Sequence, residues 1–108
     1  MERVDYGAFD RLHIVSGEVL SAEPVAGSQK MLKLVVDIGE EKRTVLAGIA
    51  KTHKCEELVG KKVVFLANLA PKRILGVDSD GMVLAVDDGT DCMLLAFEKN
   101  VKNGLRVR

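Results

Sequence analysis

At 108 residues, 47% hydrophobic and 30% charged, the chain has the size of one domain and enough apolar side chains to bury a core. This composition excludes a disordered, highly charged polymer. The longest uncharged run, Val63–Pro71, is too short for a membrane helix, which takes about 20 apolar residues. Net charge is zero, yet the charge is segregated: Lys30–Arg73 holds ten cations against five acids, whereas Asp78–Glu98 holds six acids and no cation. Folding can scatter such charges over an ordinary surface, or gather them into a basic face suited to a polyanion.

In chain order, Asp5–Leu12 reads as a short helix with Phe9 and Leu12 on one face. Leu12–Ala22 reads as a strand, with Gly17 as its expected bulge. Met31–Ile38 alternates cleanly, with Leu32, Leu34, Val36 and Ile38 on one face. Gly39-Glu40-Glu41 then turns the chain into a third strand, Arg43–Ile49. A short helix is expected within Ala50–Leu58, ended by Gly60. Strands follow at Lys62–Leu69, Met82–Val86 and Met93–Phe97, and a turn at Lys102-Asn103-Gly104 precedes Leu105–Arg108. Many short strands with glycine turns imply an all-β sandwich or small barrel. A short helix after the third strand fits a five-stranded OB barrel with small N- and C-terminal extensions.

Val63–Ala67 and Met93–Phe97 are apolar on both faces, whereas an exposed barrel strand should alternate. A second copy or the chain's own termini must cover them, and a homodimer is the expected assembly. Phe65 and Phe97 are expected to fill the core. Because Glu2, Arg3 and Asp5 precede any apolar run, no secretory signal is expected, and the location is expected to be cytoplasmic. Cys55 and Cys92 are then expected as reduced thiols.

Catalytic chemistry finds little purchase. His53 stands two residues from Cys55, but no second ligand pair follows for zinc and no third group orients a nucleophile. No G-x-x-x-x-G-K loop appears, and Asp78-Ser79-Asp80-Gly81 lacks the later oxygen ligands of a calcium loop. No cofactor, metal or catalytic residue is therefore expected. Tyr6, Phe9, Phe65 and Phe97 are too few for a stacking platform that takes successive bases of a single strand. A nucleic-acid partner would be gripped by its backbone and shape, as folded RNA is.

Two stretches carry a family resemblance. Gly27–Ile49 contains Gly27-Ser28-x-Lys30, and Ala67–Ala85 contains Asn68-Leu69-x-Pro71-Lys72-Arg73 followed by Gly76, Ser79, Gly81 and Met82. These residues resemble the tRNA-binding OB domain family, which includes the C-terminal domain of many methionyl-tRNA synthetases and free-standing structure-specific tRNA-binding proteins. The resemblance runs from the Phe9 region to the C-terminus. Gln29 stands where the family often has aspartate, and Ala47 where it has serine.

The resemblance implies a single non-catalytic domain, 1–108, that binds tRNA by shape and presents it to a methionyl-tRNA synthetase catalytic chain in cis or in trans. The implied contacts are Ser28, Lys30, Lys33, Asn68, Lys72, Arg73, Ser79 and Met82. Each has a plainer reading. Lys33 is also a solubilising strand charge, and Asn68 and Ser79 are also turn residues that bond backbone. Met82 equally suits the core. Lys51 and Lys54 either extend the basic footprint or are a solvated helix face. A second branch of the family resembles a secretion chaperone that holds unfolded polypeptide; the intact Gly27–Lys30 and Ser79–Met82 elements favour tRNA.

Overall fold

The computed structural model describes all 108 residues. Two short helices and nine strands run in the order α1 (Tyr6–Asp10), β1 (Ile14–Pro24), β2 (Leu32–Asp37), β3 (Lys42–Ala47), α2 (Cys55–Leu58), β4 (Lys62–Leu66), β5 (Lys72–Ile74), β6 (Val77–Ser79), β7 (Met82–Val83), β8 (Ala85–Asp87) and β9 (Cys92–Leu94). The main sheet is antiparallel in the order β3-β2-β1-β4-β7, and β5–β6 and β8–β9 are separate hairpins. The β6–β7 segment returns to β3 and nearly closes a five-stranded OB barrel, as expected from the pattern.

The alternation in β2 sets the core. Leu32, Leu34 and Val36 are buried while their neighbours Lys33, Val35 and Asp37 stay half-exposed. They meet Val19, Ile38, Val45, Ile49, Leu58, Val63 and Phe65 in one cluster. The largest of these, Phe65, is fully buried, and such burial is worth roughly 2–3 kcal/mol. Gly81 is shaped to that ring: a Cβ there would lie 2.4 Å from Phe65 Cζ, and its φ of 114° disfavours any side chain.

Several expectations change. The bulge in β1 falls at Leu20, between the paired residues Val19 and Ser21, and not at Gly17. Gly17 stays in register opposite Val63; it is small because a Cβ would come within 2.8 Å of Val36 Cγ1. The helix expected within Ala50–Leu58 shrinks to one turn, because Thr52 and His53 both donate their N–H to Ile49 O and form a tight turn first. Leu84 divides the expected Met82–Val86 strand: its N–H reaches Val64 O while its carbonyl accepts from Leu95 N–H. Phe97 is half-exposed and stands outside the core cluster. Cys55 and Cys92 are both free thiols.

The two-faced apolarity of β4 is resolved within the chain, since Val63, Val64, Phe65 and Leu66 are all buried. A C-terminal strap lies along the first half of β1. Ser16 accepts Gly104 N–H at its carbonyl and Leu105 N–H at its hydroxyl, and Oγ donates to Lys102 O at 2.6 Å. Gly104 packs backbone to backbone on the β2–β3 turn, where a Cβ would sit 2.7 Å from Ile38 O. Lys62 secures the strap through Asn103 Oδ1 at 2.6 Å and Glu18 at 3.2 Å. By contrast, Val86, Met93 and Leu95 around the β8–β9 hairpin remain exposed.

The Gly81–Phe65 contact predicts that Gly81→Ala lowers the unfolding free energy by about 2–4 kcal/mol through overpacking and backbone strain. Urea denaturation of parent and variant measures the difference.

Candidate nucleic-acid interface

The rim begins where β4 ends. Asn68 is exposed and clasps the N-terminal segment: its Oδ1 accepts His13 N–H at 2.8 Å, and its Nδ2 donates to Arg11 O at 2.7 Å. Arg106 holds the same segment from the other side, donating to Asp10 O at 2.5 Å. After Pro71 the chain enters the β5–β6 hairpin. Its two-residue turn has φ of 51° at Leu75 and 78° at Gly76, the signs of a type I′ turn.

At its base the hairpin is pinned to β3. Ser79 is buried, and its Oγ accepts Leu46 N–H at 3.0 Å; Asp80 N–H donates to Thr44 O at 2.9 Å. Arg43 ties the same junction, reaching Ala67 O at 2.7 Å, Asp80 at 3.3 Å and Glu41 on its own strand. Arg43 was legible only as one charge in a basic run. Its arrangement makes it a positioning residue, with its guanidinium already engaged.

Strand alternation then separates the two cations of the rim. Lys72 lies opposite Ser79, and Arg73 opposite Asp78, so they leave opposite faces of the hairpin. Arg73 meets Asp78 at 2.8 Å with both side chains well exposed, a pairing worth about 0–1 kcal/mol at most. Lys72 is exposed and takes part in no ion pair.

A second cationic point forms beside β2. The Ser28 hydroxyl accepts Lys30 N–H at 3.2 Å and Met31 N–H at 3.0 Å, closing the turn before the strand. Lys30 O accepts Ala50 N–H at 3.0 Å, which brings Lys30 beside Lys51. Across a cleft of about 220 Å³ stands the β8–β9 turn, with Asp87, Thr90 and Asp91. Asp88 opens this turn. Its carboxyl is held below the ordinary 3.8 by the N–H groups of Asp91 and Thr90, at 2.7 and 2.9 Å. Lys33 is half-exposed and pairs with Glu23 at 3.4 Å. Met82 is exposed and lines an apolar groove with Leu46, Ile49, Val83 and Leu94.

The structure therefore brings Lys72 and Arg73 to one hairpin and Lys30 to a separate cleft. Ser28, Asn68 and Ser79 spend their polar atoms on backbone. An all-β barrel with cations raised on rigid turns is the architecture of a nucleic-acid-binding OB domain.

Comparison with known proteins makes this specific. Residues 14–106 match the family model described as "Putative tRNA binding domain", and the chain belongs to this tRNA-binding domain family. It is 50% identical over 107 residues to a methionine–tRNA ligase of Methanosarcina mazei, a match covering 97% of the chain and 15% of that protein. The chain spans 15–17% of the length of the first curated relatives it matches. Among solved structures it is similar to a MetRS-related protein of Pyrococcus horikoshii, with a TM-score of 0.93, 38% identity and full coverage of both chains. It is also similar to the chaperone CsaA of Bacillus anthracis, with a TM-score of 0.89, 28% identity, and coverage of 99% of this chain and 100% of that one.

Two outcomes follow from the geometry. Ser79→Ala strands the Leu46 N–H and lowers stability by about 1–3 kcal/mol, measured by denaturant titration, with faster hydrogen exchange at Leu46. For Asp88, the folded carboxyl is more acidic than the unfolded one. Its stabilising contribution is therefore complete above pH 3.8 and fades as pH falls through its lower folded value. The protection of the Thr90 and Asp91 amides, taken relative to the intrinsic exchange rate at each pH, should fall below that pH in the parent and lose this pH dependence in Asp88→Asn.

Proposed function

We propose that this domain grips tRNA by its phosphate backbone and shape, without chemistry of its own, and presents it to a methionyl-tRNA synthetase catalytic chain in cis or in trans. The observation that carries the reading is the division of labour in the motif. Short polar residues are tied to backbone, and lysine and arginine are left at the surface beside them. Lys30, Lys72 and Arg73 are the phosphate contacts in this reading, with Lys33 at the margin. Arg73 exchanges the exposed Asp78 for a phosphate, which its planar guanidinium can pair bidentately. Ser28, Asn68 and Ser79 shape the rim, and Met82 packs beside it. Tethering tRNA in this way raises its effective concentration at the catalytic site.

Assembly as a homodimer in the cytoplasm completes the proposal. It is supported by the exposed Val86, Met93 and Leu95 next to the apolar groove of Leu46, Ile49, Val83 and Leu94. Light scattering across concentration tests it; a monomer at all concentrations would refute it. The same groove favours a second reading, a chaperone that holds unfolded polypeptide, and similarity to CsaA supports it. A permanently unfolded peptide offered against tRNA separates the two, since only the chaperone reading predicts peptide binding that tRNA does not match.

A filter-binding salt series with bulk tRNA tests the main reading. Each phosphate contact contributes a slope of about −0.7 to −0.9 in log K against log salt. Lys72→Glu with Arg73→Glu is expected to flatten the slope by about two contacts and to weaken binding tenfold or more at low salt, roughly the scale of paired charge losses. Parental affinity in the double variant would remove the β5–β6 hairpin from the interface.

A further inference from the structure

We propose that the cleft between Lys30–Lys51 and the Asp87–Asp91 turn is a ribose-phosphate subsite. Its lysines hold a phosphate, and the Asp91 carboxylate accepts a hydrogen bond from the adjoining ribose 2′-hydroxyl. The proposal rests on the tRNA-binding reading and deepens it, because a 2′-hydroxyl acceptor selects RNA over DNA.

The basic wall is built rather than merely charged. Lys30 is anchored at both backbone ends, by Ser28 Oγ and by Ala50 N–H, and Lys51 follows Ala50 directly. The Lys30 stem lies over Gly48, where an added Cβ would come within 3.2 Å of Lys30 Cε. Any larger residue at that position would push the lysine away.

The acidic wall is equally fixed, and its carboxylates differ in availability. Asp88 is committed to the N–H groups of Thr90 and Asp91, and Asp87 Oδ1 to Gly89 N–H at 2.7 Å. The Asp91 carboxylate and the Thr90 hydroxyl make no hydrogen bond within the chain, although both line the cleft. Neither Lys30 nor Lys51 belongs to any ion pair, so no carboxylate stands within 4.0 Å of either ammonium group. Opposite charges thus face each other across a gap without closing it.

A phosphate alone fits this gap poorly, because the carboxylates would repel it. A sugar–phosphate unit fits both walls. Its anion meets the lysines, while its hydroxyl is a donor for a carboxylate that can only accept. The same carboxylate offers nothing to a deoxyribose, and its charge then only repels.

The test is filter binding at one fixed salt concentration, using a tRNA transcript and a DNA strand of the same sequence. Asp91→Ala is expected to weaken RNA binding about tenfold to a hundredfold, the loss of one hydrogen bond to a charged group. DNA binding should stay level or tighten, so the RNA-to-DNA ratio collapses. Asp91→Asn keeps an acceptor oxygen and should retain most of the ratio. Lys51→Ala should weaken RNA and DNA binding by a similar factor. Should Asp91→Ala tighten both ligands alike, or leave the ratio unchanged, the carboxylate only repels and the subsite is wrong. If the ratio is unchanged while Lys72→Glu with Arg73→Glu still loses tRNA, only the subsite falls. A parent protein that binds no tRNA would sink both readings. Thermal melts of the Asp91 variants verify that each remains folded.

Discussion

The junction of β3 with Ser79 and Asp80 is the contact on which the remaining architecture depends. A barrel of five strands has a gap between its last strand and β3, and β3 would otherwise present unpaired N–H and C=O groups there. Ser79 Oγ accepts the Leu46 N–H, Asp80 N–H donates to the Thr44 carbonyl, and Arg43 braces the crossing through Asp80 and Ala67 O. The same three contacts fix the root of the β5–β6 hairpin. Closing the barrel and aiming the cations are therefore one structural event.

This economy extends along the motif. A short hydroxyl or amide near a turn bonds readily to backbone: Ser28 closes its own turn, whereas Asn68 and Ser79 reach across to backbone of the N-terminal segment and of β3. Lys30 and Lys72, by contrast, are exposed, belong to no ion pair and project from their turns. The Asn68 clasp also explains why the N-terminal segment stays with the barrel: both ends of its amide are used on Arg11 and His13. Lys72 and Arg73 leave opposite faces of one hairpin and Lys30 stands at a distinct cleft; in the proposed reading, this separation of charges favours a ligand with phosphates at several spaced positions, as a folded RNA has.

The fold was legible wherever burial followed period. The alternation of Leu32, Leu34, Val36 and Ile38 foretold the face that is buried, and the short helix between the third and fourth strands marked the OB topology. Local reading failed where tertiary contact overrode a familiar signal. Gly17 resembled a bulge, but it is small because Val36 lies against it. No strand is expected over the β5–β6 hairpin, because its turn is Leu75-Gly76 and leucine is a poor resident of positive φ. Of the interface, the cations were visible in the motif. The roles of Asn68 and Ser79 were not, since partners such as Leu46 lie tens of residues away in sequence. Nor could sequence show that the acidic turn faces Lys30 and Lys51, because only the β8–β9 hairpin brings those segments together.

The central claim is that the motif divides into residues that hold the rim and residues that touch RNA. Side-chain NMR of the isotopically labelled domain, titrated with tRNA, tests it most directly. The account predicts that the Lys30 and Lys72 ammonium and Arg73 guanidinium signals shift on binding, while the Asn68 side-chain amide and the Leu46 N–H keep their free-state positions. Large shifts at Asn68 and Leu46 with unmoved lysine and arginine signals would contradict it.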